Sequence, residues 1–447
     1  MASAAERLAS NINFGSFSKA TELKKRIWFT LLALVIYRLG TFIPIPGIDA
    51  SVLAEVFTKH KSGVFGIFDT FSGGALGRMT IFALNVFPYI SASIIMQLMT
   101  TVSPKLEALK KEGESGRKKI NQYTRYGTVF LAALQGYGIA VGLESMVGSS
   151  GSAVMEPGYF FRLIAVTTIV GGTMFLVWLG EQITSRGIGN GVSLIIFAGI
   201  VAGIPSGLGT LFELGRTGEL STIAIIAILI LALGVVAFVV FMERAQRRIL
   251  IQYPQRQAGP RSALQAESTH LPLKLNVSGV IPPIFASALL SVPMTIMAFG
   301  DQTAPGPVKS FFLNWVGQGK PLYIVILALL IIFFAFFYTA IVFNPQETSE
   351  NLRKNGGFVP GIRPGKNTAD YLDYVLTRLT VVGSLYLVLV CILPELLRLK
   401  YAIPFTIGGT SLLIVVSVTI DTITQIYSHL IAQQYESLIK KAKLKGR

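Results

Sequence analysis

Asp421 lies deep in an apolar run, where a carboxylate is either an ion-binding group or a hydrogen-bonded structural one. An ion-coupled transporter built on it would carry a saturable small molecule and fail on Asp421→Asn. The other charges in or beside apolar runs, Arg38, Arg162 and Glu181, sit within about a turn or two of a run's end, where long side chains reach the interface. No second intramembrane aspartate accompanies Asp421, and Ser149 and Ser150 fall in a polar, glycine-flanked stretch, so acid–base or nucleophilic hydrolysis in the membrane lacks its groups. Gly187, Gly189 and Gly191 are followed by neither a Walker lysine nor a strand pattern, and Gly199-x-x-x-Gly203 is a close helix contact. Cys391 is the single cysteine, and His60, His270 and His429 are scattered outside the apolar runs, which excludes a disulfide framework and a cysteine or histidine metal cluster. The expectation is a chain that is not an enzyme and needs no cofactor.

The elements that position these residues are hydrophobic helices. The 447 residues are 52% hydrophobic and 14% charged, with a mean hydropathy of +0.60. Crossing a hydrocarbon core of about 30 Å takes about 20 residues of helix. Ten runs qualify, near 27–43, 78–100, 122–143, 159–180, 189–206, 221–242, 275–299, 320–343, 376–394 and 407–428. Ten spans place both termini on one side. Putting that side in the cytoplasm assigns 29 of the 39 Lys and Arg to inner segments and 8 to outer loops, so the positive-inside rule sets the orientation and explains much of the +16 charge. The first twenty residues hold no apolar core of the signal-peptide kind.

Residues 61–77 carry Phe65, Ile67, Phe68 and Phe71, yet are too short to span and are broken by Gly73 and Gly74. They fit a re-entrant segment tucked into protein, or an amphipathic loop on the interface. An internal echo is more informative. Val86-Phe-Pro-Tyr-Ile-Ser-Ala-Ser93 and Val280-Ile-Pro-Pro-Ile-Phe-Ala-Ser287 share V-x-P-x-I-x-A-S five spans apart. An odd separation makes the copies enter the membrane from opposite sides, and such a repeat places a functional site near mid-membrane between two halves. The shared proline is expected to kink both helices at matching depths. Val86, Ile90 and Ile284 in these copies are β-branched and apolar. They serve either as helix-packing core or as a dewetted constriction that blocks ions and yields to a bulky extended chain.

Two inner loops, 243–274 and 344–375, exceed what a chain reversal needs and look like docking surfaces. Pro360-Gly-Ile-Arg-Pro-Gly365 brackets Arg363 with turn formers and would hold its guanidinium at a stiff tip. In the first loop Arg244, Arg247, Arg248, Arg256 and Arg261 suit phosphates or an acidic partner, and equally suit orientation alone.

From about residue 20 to the C-terminus the chain closely resembles the bacterial SecY family, channel subunits of the general protein translocase. The resemblance is carried in collinear order by FIPIPGID (42–49), FSGGAL (71–76), PYISASI (88–94), KKEGESGRKKINQYTRYG (110–127), WLGEQIT-x-RGIGNG (178–191), STHLPLK (268–274), YTA-x-VFNP (338–345), FVPGIRPG (358–365), GGTSLLIVV (408–416) and QYESL (434–438).

It implies an all-α membrane protein of ten transmembrane helices in two inverted five-helix halves, hinged like a clamshell: 1–26 as a cytoplasmic N-terminal segment, 27–206 and 207–428 as the halves, and 429–447 as a basic tail. It implies a pore ring of Val86, Ile90, Ile196, Ile284 and Ile414, a plug over about 63–77, and a lateral gate including Ser91, Gln97, Gln135 and Ser287. Arg363 matches the family's loop-tip arginine, and Arg248, Arg256 and Arg261 would join it in docking, although Pro260 stands where related chains often carry a second basic residue. The implied partners are the small subunits SecE and SecG, the SecA motor ATPase, the ribosome, signal-peptide-bearing precursors and membrane lipid. The implied place is the bacterial inner membrane with both termini cytoplasmic, and the implied function is passage of unfolded precursors with lateral release of hydrophobic segments into lipid.

Overall fold

A computed structural model describes residues 21–49, 52–53, 69, 72–144, 147–148, 151–218, 221–253, 269–299, 320–401 and 408–445, of which 147–148, 151, 291–299, 397–401 and 434–445 are described by backbone alone. Twelve helices of eight residues or more lie among the described residues: α1 Thr21–Gly40, α2 Phe87–Val102, α3 Pro104–Lys111, α4 Glu114–Glu144, α5 Tyr159–Arg186, α6 Gly191–Arg216, α7 Thr222–Arg244, α8 Ile281–Phe299, α9 Pro321–Val342, α10 Pro345–Lys354, α11 Lys366–Tyr401 and α12 Gly409–Lys445. Seven described helical stretches are long and apolar enough to cross a membrane. The antiparallel pairs are β1 Val147–Gly148 with β2 Gly151–Ser152, and β3 Gln246–Ile251 with β4 Thr269–Lys274. The chain divides into two compact units, one drawn from Met1–Gly209, Ser291–Ser310 and Ile414–Arg447, the other from Thr210–Leu290 and Phe311–Leu413.

In the first unit α4 packs along α5 and α2 along α4. One end of this unit is a scaffold of loops. Ile45 N donates to Met79 O (2.9 Å), Ile81 N to Ile43 O (3.0 Å), Asp49 N to Ala153 O (3.0 Å) and Met155 N to Gly47 O (3.0 Å). Ile45, Ile48, Leu76, Met79, Leu84, Ile139, Val154 and Phe161 close an apolar core beneath these bonds. The FIPIPGID stretch is therefore a strap between two later segments.

The Gly-rich turn between α5 and α6 is the counterpart at the opposite ends of these helices. The Ile188 amide donates to Thr30 Oγ1 of α1 (3.1 Å) and the Gly189 amide to Gln425 Oε1 of α12 (2.8 Å), while Arg26 donates to Gly187 O (3.3 Å). A methyl group at Gly191 would overlap the Gly180 carbonyl, so this glycine is needed for the close approach of α5 and α6.

In the second unit α9 packs on α11. Helix α7 is apolar all round and mostly exposed, with Ile223, Ile230, Leu233 and Phe241 facing outward, as for a helix solvated by lipid.

Candidate functional site

The two copies of the repeat begin helices rather than kink them. Val86 caps α2 and Pro88 occupies its first turn; Pro282 and Pro283 follow Ile281, the first residue of α8. Proline suits a first turn, where its missing N–H would have had no intrahelical partner. The first helical bond is the same in both, Ile90 N to Val86 O at 3.1 Å and Ile284 N to Val280 O at 3.4 Å. The expected mid-span kink is thus replaced by a matched pair of helix starts. The expected span over 78–100 is corrected with it. Residues 75–86 run as turns fixed to the 43–45 strap, Met79 and Asn85 take left-handed φ of 43° and 49°, and α2 starts only at Phe87.

Of the five ring positions, Val86, Ile90, Ile196 and Ile414 are buried and belong to the first unit, whereas Ile284 is half-buried in the second. The polar positions of α2 and α4 have an unusual environment. Ser91 and Gln135 are 7% and 5% exposed, and Ser91 Oγ, Gln97 Oε1 and Gln135 Oε1 are buried without a hydrogen-bond partner in the protein. Buried polar atoms are nearly always paired, so each of these three oxygens on two adjacent helices is left to accept from a polar ligand or water. Ser287 of α8 instead donates to Ile284 O in its own helix (3.0 Å).

Of the expected plug residues, Phe65, Ile67, Phe68 and Phe71 lie outside the described residues, while Gly73 and Gly74 take left-handed φ of 67° and 84° at its root. Asp69 accepts from Gly77 N through Oδ1 (2.6 Å), and Ser72 Oγ accepts from Leu76 N (3.2 Å), which folds the root tightly.

Arg256 and Arg261 lie outside the described residues; Arg248 on β3 and Arg363 are exposed. The loop around Arg363 is rigid for legible reasons. Gly361 and Gly365 have φ of 81° and 102°, Thr368 Oγ1 donates to Arg363 O (2.9 Å), and Ser349 Oγ donates to Gly365 O (2.6 Å). The two long loops are joined by reciprocal bonds between Gln252 and Phe358 (2.9 and 3.0 Å), above a core of Ile249, Leu273, Val359, Leu372, Val375 and Leu376.

The charges near apolar runs also acquire roles. Arg125 forks onto both oxygens of Glu181 (2.7 and 2.6 Å), and Arg162 pairs with Glu144 (2.6 Å). Asp421 is exposed on α12 rather than enclosed as an interior ion site would be. Two polar sets escaped the sequence reading: Arg38 with Arg78 at Gly73, and Glu243 with Asn276, whose Nδ2 donates to Glu243 Oε1 (2.8 Å) and Gly279 O (3.0 Å). The lone signal for the first was an arginine beside the end of a span.

The SecY family profile matches residues 80–423. The protein translocase subunit SecY of Rickettsia typhi is 55% identical over 433 residues, covering 96% of this chain and 99% of that protein. The chain belongs to the SecY family. It is a multi-pass membrane protein and the channel subunit of a protein translocase, passing unfolded precursors across the membrane. Its helical fold agrees with solved channels at low identity. A structure described as that of a protein conducting channel is 17% identical with a TM-score of 0.66, covering 91% of this chain and 92% of the other. Sec61 in a canine ribosome–channel complex from the endoplasmic reticulum is 17% identical with a TM-score of 0.63 and the same coverage.

Proposed function

We propose that Val86, Ile90, Ile196, Ile284 and Ile414 form the constriction of this channel, that about 63–77 is its plug, and that α2, α4 and α8 carry a lateral gate with Ser91, Gln97, Gln135 and Ser287 on its faces. The observation that carries the gate is the set of three buried oxygens without partners on α2 and α4, which suit the backbone or polar groups of an entering signal peptide. The constriction reading is supported by the matched helix starts, Ile90 N bonded to Val86 O in one copy and Ile284 N to Val280 O in the other. Apolar β-branched side chains make no hydrogen bonds to a passing chain, so they seal against ions and part for polypeptide. Lateral release into lipid follows from a gate between helices that face hydrocarbon.

The halves are 27–206 and 207–428, working in a bacterial inner membrane with both termini cytoplasmic. SecE and SecG complete the membrane complex. SecA and the ribosome dock on the joined loops through Arg363, Arg248, Arg256 and Arg261; the canine complex, in which a Sec61 channel is seen with a ribosome, supports the ribosome. Hydrolysis belongs to these partners and the chain itself catalyses nothing.

Disulfide trapping tests the passage. With Cys391→Ser and a cysteine at Ile90 or Ile284, a stalled precursor bearing one cysteine is expected to form an adduct that requires both signal peptide and motor. Absence of adducts at both positions, with precursor engagement confirmed elsewhere, removes the constriction from these residues.

A further inference from the structure

The turn between α5 and α6 hands its amides to side chains from several helices. Ile188 N donates to Thr30 Oγ1 of α1 and Gly189 N to Gln425 Oε1 of α12, while Gly191 N donates to Thr184 Oγ1 of α5 (2.9 Å) and Ser193 N to Asn190 Oδ1 (3.3 Å). The opening amides of a helix have no partner within it and must find acceptors outside. Two of the acceptors here come from parts of the chain far away in sequence. The turn has no room for side chains at these contacts. A methyl group at Gly187 would overlap Thr30 Oγ1, and one at Gly189, whose φ is 86°, would lie 2.9 Å from Leu194 Cδ1 and 3.4 Å from Thr422 Oγ1.

Two of the helices joined at this turn carry proposed constriction residues, Ile196 on α6 and Ile414 on α12, both buried. Ile196 lies about 8 Å of helix beyond Gly191, and Ile414 about 16 Å of helix before Gln425. A helix has a fixed rise, so tying one point of α12 to the start of α6 sets the axial offset between Ile196 and Ile414. Leu23, Ile188 and Leu430 are buried together, with Ile27 and Ile426 packed against them. Apolar contacts of that kind hold helices together but carry no direction along the axis. A hydrogen bond weakens steeply with distance and angle, and so resists sliding by even one residue's rise of about 1.5 Å.

We propose that Gln425 and Thr30 are positioning residues that set the depth of Ile414 relative to Ile196 and so keep the constriction sealed at rest. The Gln425 bond indexes α12 on the turn. The Thr30 bond holds the turn on α1, so that the index does not drift. The proposal rests on the constriction reading, and its test separates the two.

Resting ion conductance and the amount of assembled complex are measured in vesicles holding the intact translocase with Gln425→Leu, Gln425→Glu, Thr30→Val, Thr30→Ser, Ile196→Asn or Ile414→Asn. Leu and Val remove the acceptor at similar bulk, whereas Glu and Ser keep an oxygen for the amide. Gln425→Leu and Thr30→Val are each expected to raise resting conductance about fivefold at unchanged assembly, the shift that one neutral hydrogen bond supports. Gln425→Glu and Thr30→Ser are expected to stay as tight as the unsubstituted channel, a rescue that follows the acceptor and that loss of packing would not show. Leak in Ile196→Asn or Ile414→Asn, with tight channels in Gln425→Leu and Thr30→Val, overturns the positioning role and leaves the constriction standing. Tight channels in both asparagine variants overturn the constriction assignment and the positioning role with it. Equal leak in the acceptor-keeping and acceptor-removing variants, or failure of all four to assemble, makes the two residues structural and overturns the proposal as well.

Discussion

The two repeat copies start their helices in the same way but hang from different roots. The approach to Val86 is a run of turns, and at its head the Ser72 and Gly73 carbonyls accept from Tyr37 and Arg38 of α1 and from Arg78 of the run itself. The approach to Val280 is a buried side-chain knot. Asn276 uses both amide hydrogens, on Glu243 and Gly279, and its oxygen accepts from Ser278 (3.0 Å). A grip on a backbone carbonyl can be let go and taken again by a neighbouring donor or water, whereas breaking a buried amide–carboxylate knot strands desolvated polar groups at a larger cost. The difference teaches that one of the two proposed gate helices is rooted on something releasable and the other on something permanent.

Three substitutions probe that contrast. The largest effect is expected from Asn276→Ala, which strips a charge-assisted bond from buried Glu243 and costs roughly 2 kcal/mol. It should appear as a lower melting temperature and less assembled complex, and wild-type stability would make the second root as dispensable as the first. Next is Gly73→Ala, strained by about 1 kcal/mol at left-handed φ and crowded against Gly199. Here the expected reading is a leak with near-normal assembly, so a tight channel that assembles poorly would mean that the first root is permanent too. Smallest in stability is Ser91→Ala, which removes a hydroxyl with no partner and should move folding by no more than about 0.5 kcal/mol. Crosslinking of a signal peptide to α2 should nonetheless fall, and unchanged crosslinking would strip Ser91 of its gate role.

Much of this organisation was legible in the residues. Hydropathy located the runs that became the long helices, because lipid solvation imposes length and composition on each one separately. The turn around Arg363 was legible because Gly361 and Gly365 supply backbone that few other residues adopt. The start of α2 was not, since an apolar run reads alike whether it coils as helix or is stitched as turns to a distant strap. Met79 gave no warning, because its left-handed φ goes with a tertiary bond from Ile45 N to its own carbonyl. Arg38 and Arg78 are forty residues apart, and nothing local says that both donate to one oxygen. The echo exposed the paired helices, yet the roots that distinguish them depend on Tyr37, Glu243 and Asn276, which lie outside the repeated residues.

The reciprocal bonds between Gln252 and Phe358 give the second unit a mechanical property. Residues from β3, β4 and the 355–365 turn share a core with Leu372, Val375 and Leu376 of α11, so a load applied to either loop is borne by both and delivered to one helix. A partner seated on one loop grips a two-stemmed handle, and torque on that handle turns α11 as a lever instead of being lost in the bending of a slack strand.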